Sequence, residues 1–238
     1  ATWDAAMRLS QGVPWDQAGE PSPSAGNGSA MRAGPIGLMY FDRTGSLVKA
    51  AHDQSFITHK DIRCSVGSVA IAGSVALALV NRPIDKPQFI AEISHLVSVI
   101  DPSAEAVFAS LINWIDLKPV DAIRSILSEG YAFGDWQDWQ GLTPFVTGTV
   151  LWSLYSFLRT PDNYLETMAT AIEVGGDVDS TAAMAGAISG AYLGMENLPE
   201  DLASHLTDQE TWGLGELREL ALDLFEMKVT RNLIPDYP

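Results

Sequence analysis

A short acidic segment, residues 175–181, has side chains that suit a metal ion. It reads Gly-Gly-Asp-Val-Asp-Ser-Thr, so the carboxylates of Asp177 and Asp179 lie next to the hydroxyl of Ser180 at a predicted helix start. Carboxylate and hydroxyl oxygens are hard ligands that suit Mg²⁺, Mn²⁺ or Ca²⁺. Aspartate and serine are also preferred at helix N-termini, and Asp177 is the natural cap. By itself the pattern leaves metal binding and capping as equal alternatives.

Residues 22–32 form a glycine-rich loop that runs into an apolar helical stretch. The candidate binding residues are Ser24, Gly26, Asn27, Gly28 and Ser29. A loop of this kind exposes backbone N–H groups at a helix N-terminus, where an anion or a diphosphate binds. An ordinary tight turn uses the same glycines, and Arg32 would serve a ligand or an internal carboxylate. Taken alone, the loop favours the ordinary turn over the phosphate site.

Three further features have a chemical and a structural interpretation. His59 follows Thr58 at a junction between predicted helices, and Thr58 or Asp61 would cap the helix that follows. A lone histidine more often has a structural role than a contact with a ligand. Residues 130–141 carry four aromatic side chains among glycines, which would stack on a flat ring or pin a long loop to the core. Cys64 lies in an alanine-like helix, so we expect a buried thiol and no nucleophile.

Helices must position these residues, because apolar side chains recur at spacings of three and four along most of the chain. No stretch has a convincing alternating strand pattern, and the breakers between helices are short. We therefore predict an all-α fold, organised as one compact domain over residues 1–238 with its helices packed orthogonally. The predicted helices cover residues 46–57, 61–80, 86–100, 104–115, 120–128, 143–158, 164–174, 180–193 and 216–227, and residues 1–10 resemble the inside of an amphipathic helix.

Two predicted helices are rich in small residues, namely the stretches 65–76 and 182–194. A glycine inside a helix costs about 1 kcal/mol relative to alanine, so such stretches indicate helices whose backbones approach closely. Their apolar runs reach about 15 residues, whereas a bilayer requires roughly 20. We predict two central, tightly packed core helices. Trp114, Trp152 and Trp212 lie on helical spacing and are also predicted to be in the core.

Composition narrows the classes of partner and compartment. The 238 residues carry 30 acidic and 14 basic side chains, a formal net charge of −16, so nucleic acid is excluded as a primary partner. No membrane segment and no signal peptide are visible, so a membrane is not expected as a partner either. A single cysteine allows no internal disulfide and favours a reducing, cytoplasmic location.

The segments occur in an order that resembles one family. The order is S-x-x-x-G-N-G-S-A-M-R-x-x-P-I-G-L, then T-H, then G-G-D-x-D-[ST]-x-A-A-x-x-G-A-x-x-G-A. This pattern is similar to the ADP-ribosylglycohydrolase family, which includes dinitrogenase-reductase-activating glycohydrolase and the ADP-ribosyl-acceptor hydrolases. The resemblance extends over residues 15–194, and the two glycine-containing motifs are jointly very specific.

The resemblance implies an all-α fold of the ADP-ribosylglycohydrolase type with a cleft for two divalent cations, Mg²⁺ or Mn²⁺. Under it, the residues expected to hold metal are Asp177, Asp179 and Ser180. The residues expected to contact ADP-ribose are Ser24, Gly26, Asn27, Gly28, Ser29 and His59. Residues near Phe145 and Val146 are expected close to the nucleotide.

One part of the family's pattern has no counterpart in this sequence. The other metal ligands of the family come from an N-terminal part with a Thr-Asp-Asp cluster, and no such cluster occurs here. Three protein oxygens would leave half of an octahedral shell to water. We expect the chain to lack the family's N-terminal segment, with a degenerate member as the alternative. The start at Ala1, inside a predicted helix, favours the first expectation.

The implied activity is hydrolysis of the glycosidic bond between ADP-ribose and an acceptor, which is a protein side chain or a small molecule. Its oxocarbenium-like transition state is helped by metal-held ribose hydroxyls and an activated water. The catalytic base or acid is expected in the N-terminal part, so no residue of this chain is assigned that role. A non-catalytic ADP-ribose binder or structural protein is the alternative. A helical protein whose acidic surface recruits a basic partner is a third.

Overall fold

The computed structural model describes residues 1–130, 141–209 and 211–230, and these residues are mainly helical. The only strands among them are β1 (Thr207–Asp208) and β2 (Trp212–Gly213), which pair antiparallel. The all-α prediction is therefore confirmed. The helices are α1 (Thr2–Ser10), α2 (Trp15–Ala18), α3 (Gly34–Tyr40), α4 (Thr44–Phe56), α5 (Ile62–Val80), α6 (Lys86–Ser98), α7 (Ala104–Ala109), α8 (Pro119–Gly130), α9 (Val146–Arg159), α10 (Tyr164–Ile172), α11 (Val178–Leu193), α12 (Glu200–Ala203) and α13 (Leu214–Thr230).

Helix α5 is the centre of the core. It packs against α3, α4, α6, α9 and α11, and it is buried along most of its length. Its first turn is capped by Asp61, whose carboxylate accepts a hydrogen bond from the Arg63 backbone N–H at 3.0 Å. By length and composition α5 would also pass as a membrane span, but most of it is buried inside the fold. The predictions of a core helix and of close contact with α11 are confirmed.

Glycines allow neighbouring helices to approach α5 closely. A Cβ at Gly67 would lie 2.4 Å from a methyl carbon of Val146 at the start of α9. A Cβ at Gly37, in α3, would lie 2.3 Å from the carbonyl oxygen of Ala72. Real Cβ atoms do not approach other heavy atoms so closely, so these positions require glycine for packing. The small residues of α5 thus serve contact with α3 and α9 as well as with α11.

The structure differs from the sequence predictions in several places. The helix predicted over residues 104–115 ends at Ala109 and continues as a 3₁₀ turn, Ser110–Asn113, which turns Trp114 into the core. Helices α2, α3 and α12 were not predicted, because four to seven residues are too few to show a period. Trp212 is 45% exposed in β2, so its assignment to the core was wrong. The aromatic residues of the predicted loop at 131–140 lie outside the described residues.

Candidate functional site

The acidic segment is held in place by backbone pairing with Leu142. The N–H of Asp177 donates to the Leu142 carbonyl at 2.8 Å, and the N–H of Leu142 donates to the Gly175 carbonyl at 3.1 Å. Gly175 and Gly176 both have positive φ angles, +72° and +86°. A Cβ at Gly176 would lie 2.1 Å from the Leu142 carbonyl oxygen, so this position admits only glycine. Gly175 and Gly176 therefore determine the backbone conformation in which the chain enters α11.

The glycine loop pairs with the same connecting segment, residues 142–146. The N–H of Asn27 donates to the Pro144 carbonyl at 2.9 Å, and the N–H of Val146 donates to the Ala25 carbonyl at 3.0 Å. Leu142 holds the acidic segment and Pro144 holds the loop, and only one residue, Thr143, lies between them. The two motifs, about 150 residues apart in sequence, consequently lie side by side.

A side-chain hydrogen bond joins the two motifs directly. The Asn27 amide Nδ2 donates to Asp177 Oδ2 at 2.5 Å, and it also lies 3.3 Å from the Thr149 hydroxyl oxygen. Asn27 is only 5% exposed, so water competes poorly for this bond. The Ser180 hydroxyl donates to the other carboxylate oxygen, Asp177 Oδ1, at 3.0 Å. Both oxygens of Asp177 are thus oriented by neighbours.

Asp177 occupies the N-cap position of α11, but its carboxylate makes no capping bond to the backbone. Its pKa is raised by burial and by the neighbouring carboxylate of Asp179, while the hydrogen bonds from Asn27 and Ser180 act in the opposite direction. Two carboxylates close enough to repel each other would be relieved by a cation. Capping alone does not account for this arrangement.

The oxygen ligands at the start of α11 are of the kind that a hard divalent cation prefers, but only three residues supply them. It consists of the Asp177 and Asp179 carboxylates with the Ser180 hydroxyl, which are the oxygen ligands that Mg²⁺ and Mn²⁺ take. Asp179 is exposed and Ser180 is buried. Within the described residues no group of three or more acidic, histidine or cysteine side chains stands ready to hold a metal. Any ion here would have further ligands from water or a bound molecule.

His59 is buried against the glycine loop and does not point freely into a cleft. A Cβ at Gly28 would lie 2.9 Å from His59 Cε1, and a Cβ at Gly26 would lie 3.3 Å from Nε2. Gly26 and Gly28 are not among the described glycines with a positive φ angle. Contact with the imidazole therefore explains why both positions lack a side chain. Burial, followed by the charge of Arg32, lowers the pKa of His59 to about 4. The ring is therefore neutral at pH 7.

The burial of His59 predicts a loss of stability in weak acid. Its pKa is 6.5 when unfolded and about 4 when folded, so unfolding takes up a proton between these values. The contribution of His59 is complete above pH 6.5 and is lost as the pH falls towards 4. The pKa difference corresponds to about 3 kcal/mol of unfolding free energy. Urea unfolding at a series of pH values measures it.

His59→Gln removes the titrating group and His95→Gln, at an exposed position of α6, is the matched control. We expect the unfolding free energy of His59→Gln to depend less on pH than that of the wild type or of His95→Gln. Equal pH dependence in all three proteins would contradict the prediction.

The two predicted serine contacts have different surroundings. Ser29 is fully buried, and its hydroxyl donates to the Cys64 carbonyl at 3.2 Å, so this side chain anchors the loop to α5. Ser24 is half-buried, and its carbonyl oxygen lies 3.8 Å from the Cys64 thiol. That thiol also lies 3.3 Å from the Gly26 carbonyl oxygen. Burial raises the pKa of Cys64 to about 12, which agrees with an inert thiol.

A cavity of about 390 Å³ opens beside the glycine loop. The Phe145 ring forms one wall, and the Arg63 guanidinium lies 5.2 Å above the centre of that ring. Arg63 is in turn paired with the buried carboxylate of Asp61 at 2.8 Å. The cavity is thus both aromatic and polar, and Phe145 connects it to Gly26 through a backbone bridge.

Sequence reasoning missed the side chains that support the loop from behind. Arg32 donates to the side chain and the carbonyl of Gln54 and to the hydroxyl of Thr58, and it pairs with no carboxylate among the described residues. Thr149, in α9, lies beside Asn27. The glycine-rich composition of residues 22–32 before an apolar stretch marked the loop as a helix entrance, but no sequence signal pointed to Gln54 or Thr149.

Comparison with known proteins gives consistent matches. A sequence model described as ADP-ribosylglycohydrolase matches residues 1–233. An uncharacterised protein of Archaeoglobus fulgidus is 30% identical over 94% of this chain, and ADP-ribosylhydrolase ARH3 of Bos taurus and of Homo sapiens are each 29% identical over 74%. A solved structure described as an ADP-ribosylglycohydrolase-related protein complex aligns with 95% of this chain and 68% of its own, at a TM-score of 0.65 and 26% identity.

The matches cover only part of each curated relative. The chain spans 65% of the Archaeoglobus fulgidus protein and 52% of the bovine and human proteins.

Proposed function

The chain belongs to the ADP-ribosylglycohydrolase family, and we propose that it hydrolyses the glycosidic bond between ADP-ribose and a modified acceptor. The observation that carries the proposal is the 2.5 Å hydrogen bond from the Asn27 amide to the Asp177 carboxylate. This contact joins a loop suited to a diphosphate with a set of oxygens suited to a divalent cation. A glycosidase acting on ADP-ribose needs these two functions next to each other.

The loop would bind the diphosphate by its backbone. Gly26 and Gly28 lack side chains on the face where His59 lies, and the loop is fixed behind by Ser29. Interactions with a remote, non-reacting group fix the ribose in position and lower the entropic cost of the reaction. The cavity next to Phe145 has the size and the aromatic wall to receive the nucleotide end, with Arg63 at its rim.

Asp177, Asp179 and Ser180 would hold the divalent cation, with Mg²⁺ as the first candidate and Mn²⁺ as the second. Such a cation supplies charge stabilisation and orients ribose hydroxyls and water near the anomeric carbon. Asn27 and Ser180 orient the carboxylate of Asp177, so its oxygens have a defined direction before anything binds. Removing a contact of this kind to a metal ligand typically lowers metal affinity by about 10- to 100-fold.

No residue of this chain is proposed as the general acid or base. The described residues near the loop and Asp177 include one buried histidine, His59, whose low pKa makes it a poor base at neutral pH. A cytoplasmic location also stays a prediction.

Replacement of Asp177 tests the proposal. Loss of an outer contact to a metal ligand costs about 10- to 100-fold in activity, so we expect Asp177→Ala to lose more than about 100-fold in turnover of ADP-ribosylated arginine or serine peptides. Asp116→Ala, at an exposed position outside the site, is the matched control and should retain full turnover. Release of ADP-ribose with Mg²⁺, Mn²⁺ or EDTA is the measurement.

Two outcomes would contradict the proposal in different ways. ADP-ribose binding by the wild type without turnover of any substrate would support a non-catalytic binder. Equal turnover by Asp177→Ala and Asp116→Ala would remove the acidic segment from the mechanism.

A further inference from the structure

The imidazole of His59 has one nitrogen engaged by the protein and one facing the glycine loop. Nδ1 lies 2.7 Å from the Thr58 hydroxyl oxygen. Nε2 has no hydrogen-bond partner within residues 1–130, 141–209 and 211–230, and it is the ring atom nearest to where a Cβ of Gly26 would be. A neutral imidazole carries its proton on only one of these nitrogens. The identity of that nitrogen decides whether the ring offers the loop a donor or an acceptor.

Arg32 decides the direction of the hydrogen bonds around Thr58. The Arg32 Nη2 lies 2.7 Å from the Thr58 hydroxyl oxygen, and a guanidinium only donates. The Thr58 oxygen therefore accepts from Arg32, and its own hydrogen must go elsewhere. Thr58 is 6% exposed, and among the described residues the only acceptor within reach of that hydrogen is His59 Nδ1. A proton on Nδ1 would leave the buried hydroxyl hydrogen without an acceptor, which is costly.

Gln54 holds Arg32 in this position and connects it back to the loop. Arg32 Nε donates to Gln54 Oε1 at 2.8 Å, and Nη2 donates to the Gln54 carbonyl at 2.9 Å. The Gln54 amide then donates to the Ser29 carbonyl and to the Ser68 hydroxyl, both at 2.9 Å. The three contacts of the Gln54 side chain, with Arg32, Ser29 and Ser68, set the orientation of its amide, while Arg32 Nη2 binds the Gln54 backbone carbonyl. The chain of donors runs in one direction, from Arg32 through Thr58 to the imidazole.

We propose that Arg32 and Thr58 are positioning residues which fix His59 as the neutral tautomer with its proton on Nε2, aimed at an anionic oxygen held on the glycine loop. A phosphate oxygen would accept the hydrogen bond from Nε2–H, and that part of the inference rests on the proposed function. The tautomer does not depend on it. The low pKa of His59, caused by burial and by the Arg32 charge, agrees with a ring that donates without becoming cationic.

Nitrogen-15 NMR of the imidazole signals at pH 7 tests the tautomer directly, with His59→Gln used to assign the signal. The expected spectrum shows a protonated Nε2 and an unprotonated Nδ1 for His59. A protonated Nδ1, or rapid exchange between both forms, overturns the inference. This measurement uses the wild-type chain without ligand, so it is independent of activity.

Two variants of Thr58 separate a directing role from a packing role. Thr58→Val keeps the shape but removes the hydroxyl, and Thr58→Ser restores it. We expect the Nε2-protonated signal to be lost or mixed in Thr58→Val and recovered in Thr58→Ser. The wild-type signal in Thr58→Val overturns the relay, and so does its absence in a folded Thr58→Ser.

Calorimetric titration of ADP-ribose in EDTA tests the ligand part. One hydrogen bond to a charged acceptor corresponds to about tenfold in affinity, so Thr58→Val should bind about tenfold more weakly and Thr58→Ser like the wild type. Equal affinity of all three proteins overturns the phosphate contact of His59. If the wild type binds no ADP-ribose, both the proposed function and the phosphate contact of His59 are wrong. The NMR spectra still test the hydrogen bonds that run from Arg32 through Thr58 to His59.

Discussion

Among substitutions that add a single methyl group, Gly176→Ala is expected to disrupt the candidate site most. The added Cβ would lie 2.1 Å from the carbonyl oxygen and 2.4 Å from the nitrogen of Leu142, both backbone atoms that have no alternative rotamer. The φ of +86° adds strain for any residue with a Cβ. Strain and overlap each contribute about 1–3 kcal/mol, so we expect a loss of about 3 kcal/mol in unfolding free energy.

Gly175→Ala is the matched control for this prediction. Gly175 has a φ of +72°, but a Cβ there would meet no atom of the described residues within 4 Å, so it carries the strain without the overlap. A left-handed alanine costs about 1–2 kcal/mol. Chemical unfolding of both variants measures the difference, and ADP-ribose titration reports on the site. Equal destabilisation by the two substitutions would mean that the segment between Gly175 and Asp177 relaxes away from Leu142.

The second large effect is expected for Asn27→Asp, which replaces the donor to Asp177 by a carboxylate. The Asn27 nitrogen lies 2.5 Å from Asp177 Oδ2, and Asn27 itself is 5% exposed, so the new carboxylate would face that of Asp177 with little access to water. Losing a hydrogen bond to a charged group costs about 1.5–3 kcal/mol, and repulsion between two like charges adds to this loss. We expect a loss of about 3 kcal/mol in unfolding free energy in EDTA, together with a loss of ADP-ribose affinity.

Asn113→Asp adds the same charge at an exposed position and is the control for net charge. It should change the unfolding free energy by less than about 0.5 kcal/mol. If Asn27→Asp has the same stability and the same ADP-ribose affinity as Asn113→Asp, the contact between the two motifs is contradicted. The main support for the proposed function is then lost as well.

Local sequence information determined the helices and the residues that carry chemistry. Periodic apolar spacing and short breakers located α5, α6, α9 and α11, because a helix that buries one face must repeat its apolar residues at that period. The donor types at Asp177, Asp179 and Ser180 and the glycines before them were also visible, since their chemistry belongs to the side chains themselves. The long motif order identified the family, which the match over residues 1–233 confirms.

Only the tertiary structure decided which of these residues meet. The contact of Asn27 with Asp177 joins positions 150 residues apart, and it depends on the connecting segment at Leu142 and Pro144, which no local pattern marks. The need for glycine at position 28 comes from the ring of His59, and Ser29 faces α5. Contacts of this kind depend on how helices pack, so spacing along the chain determines the donors but not their partners.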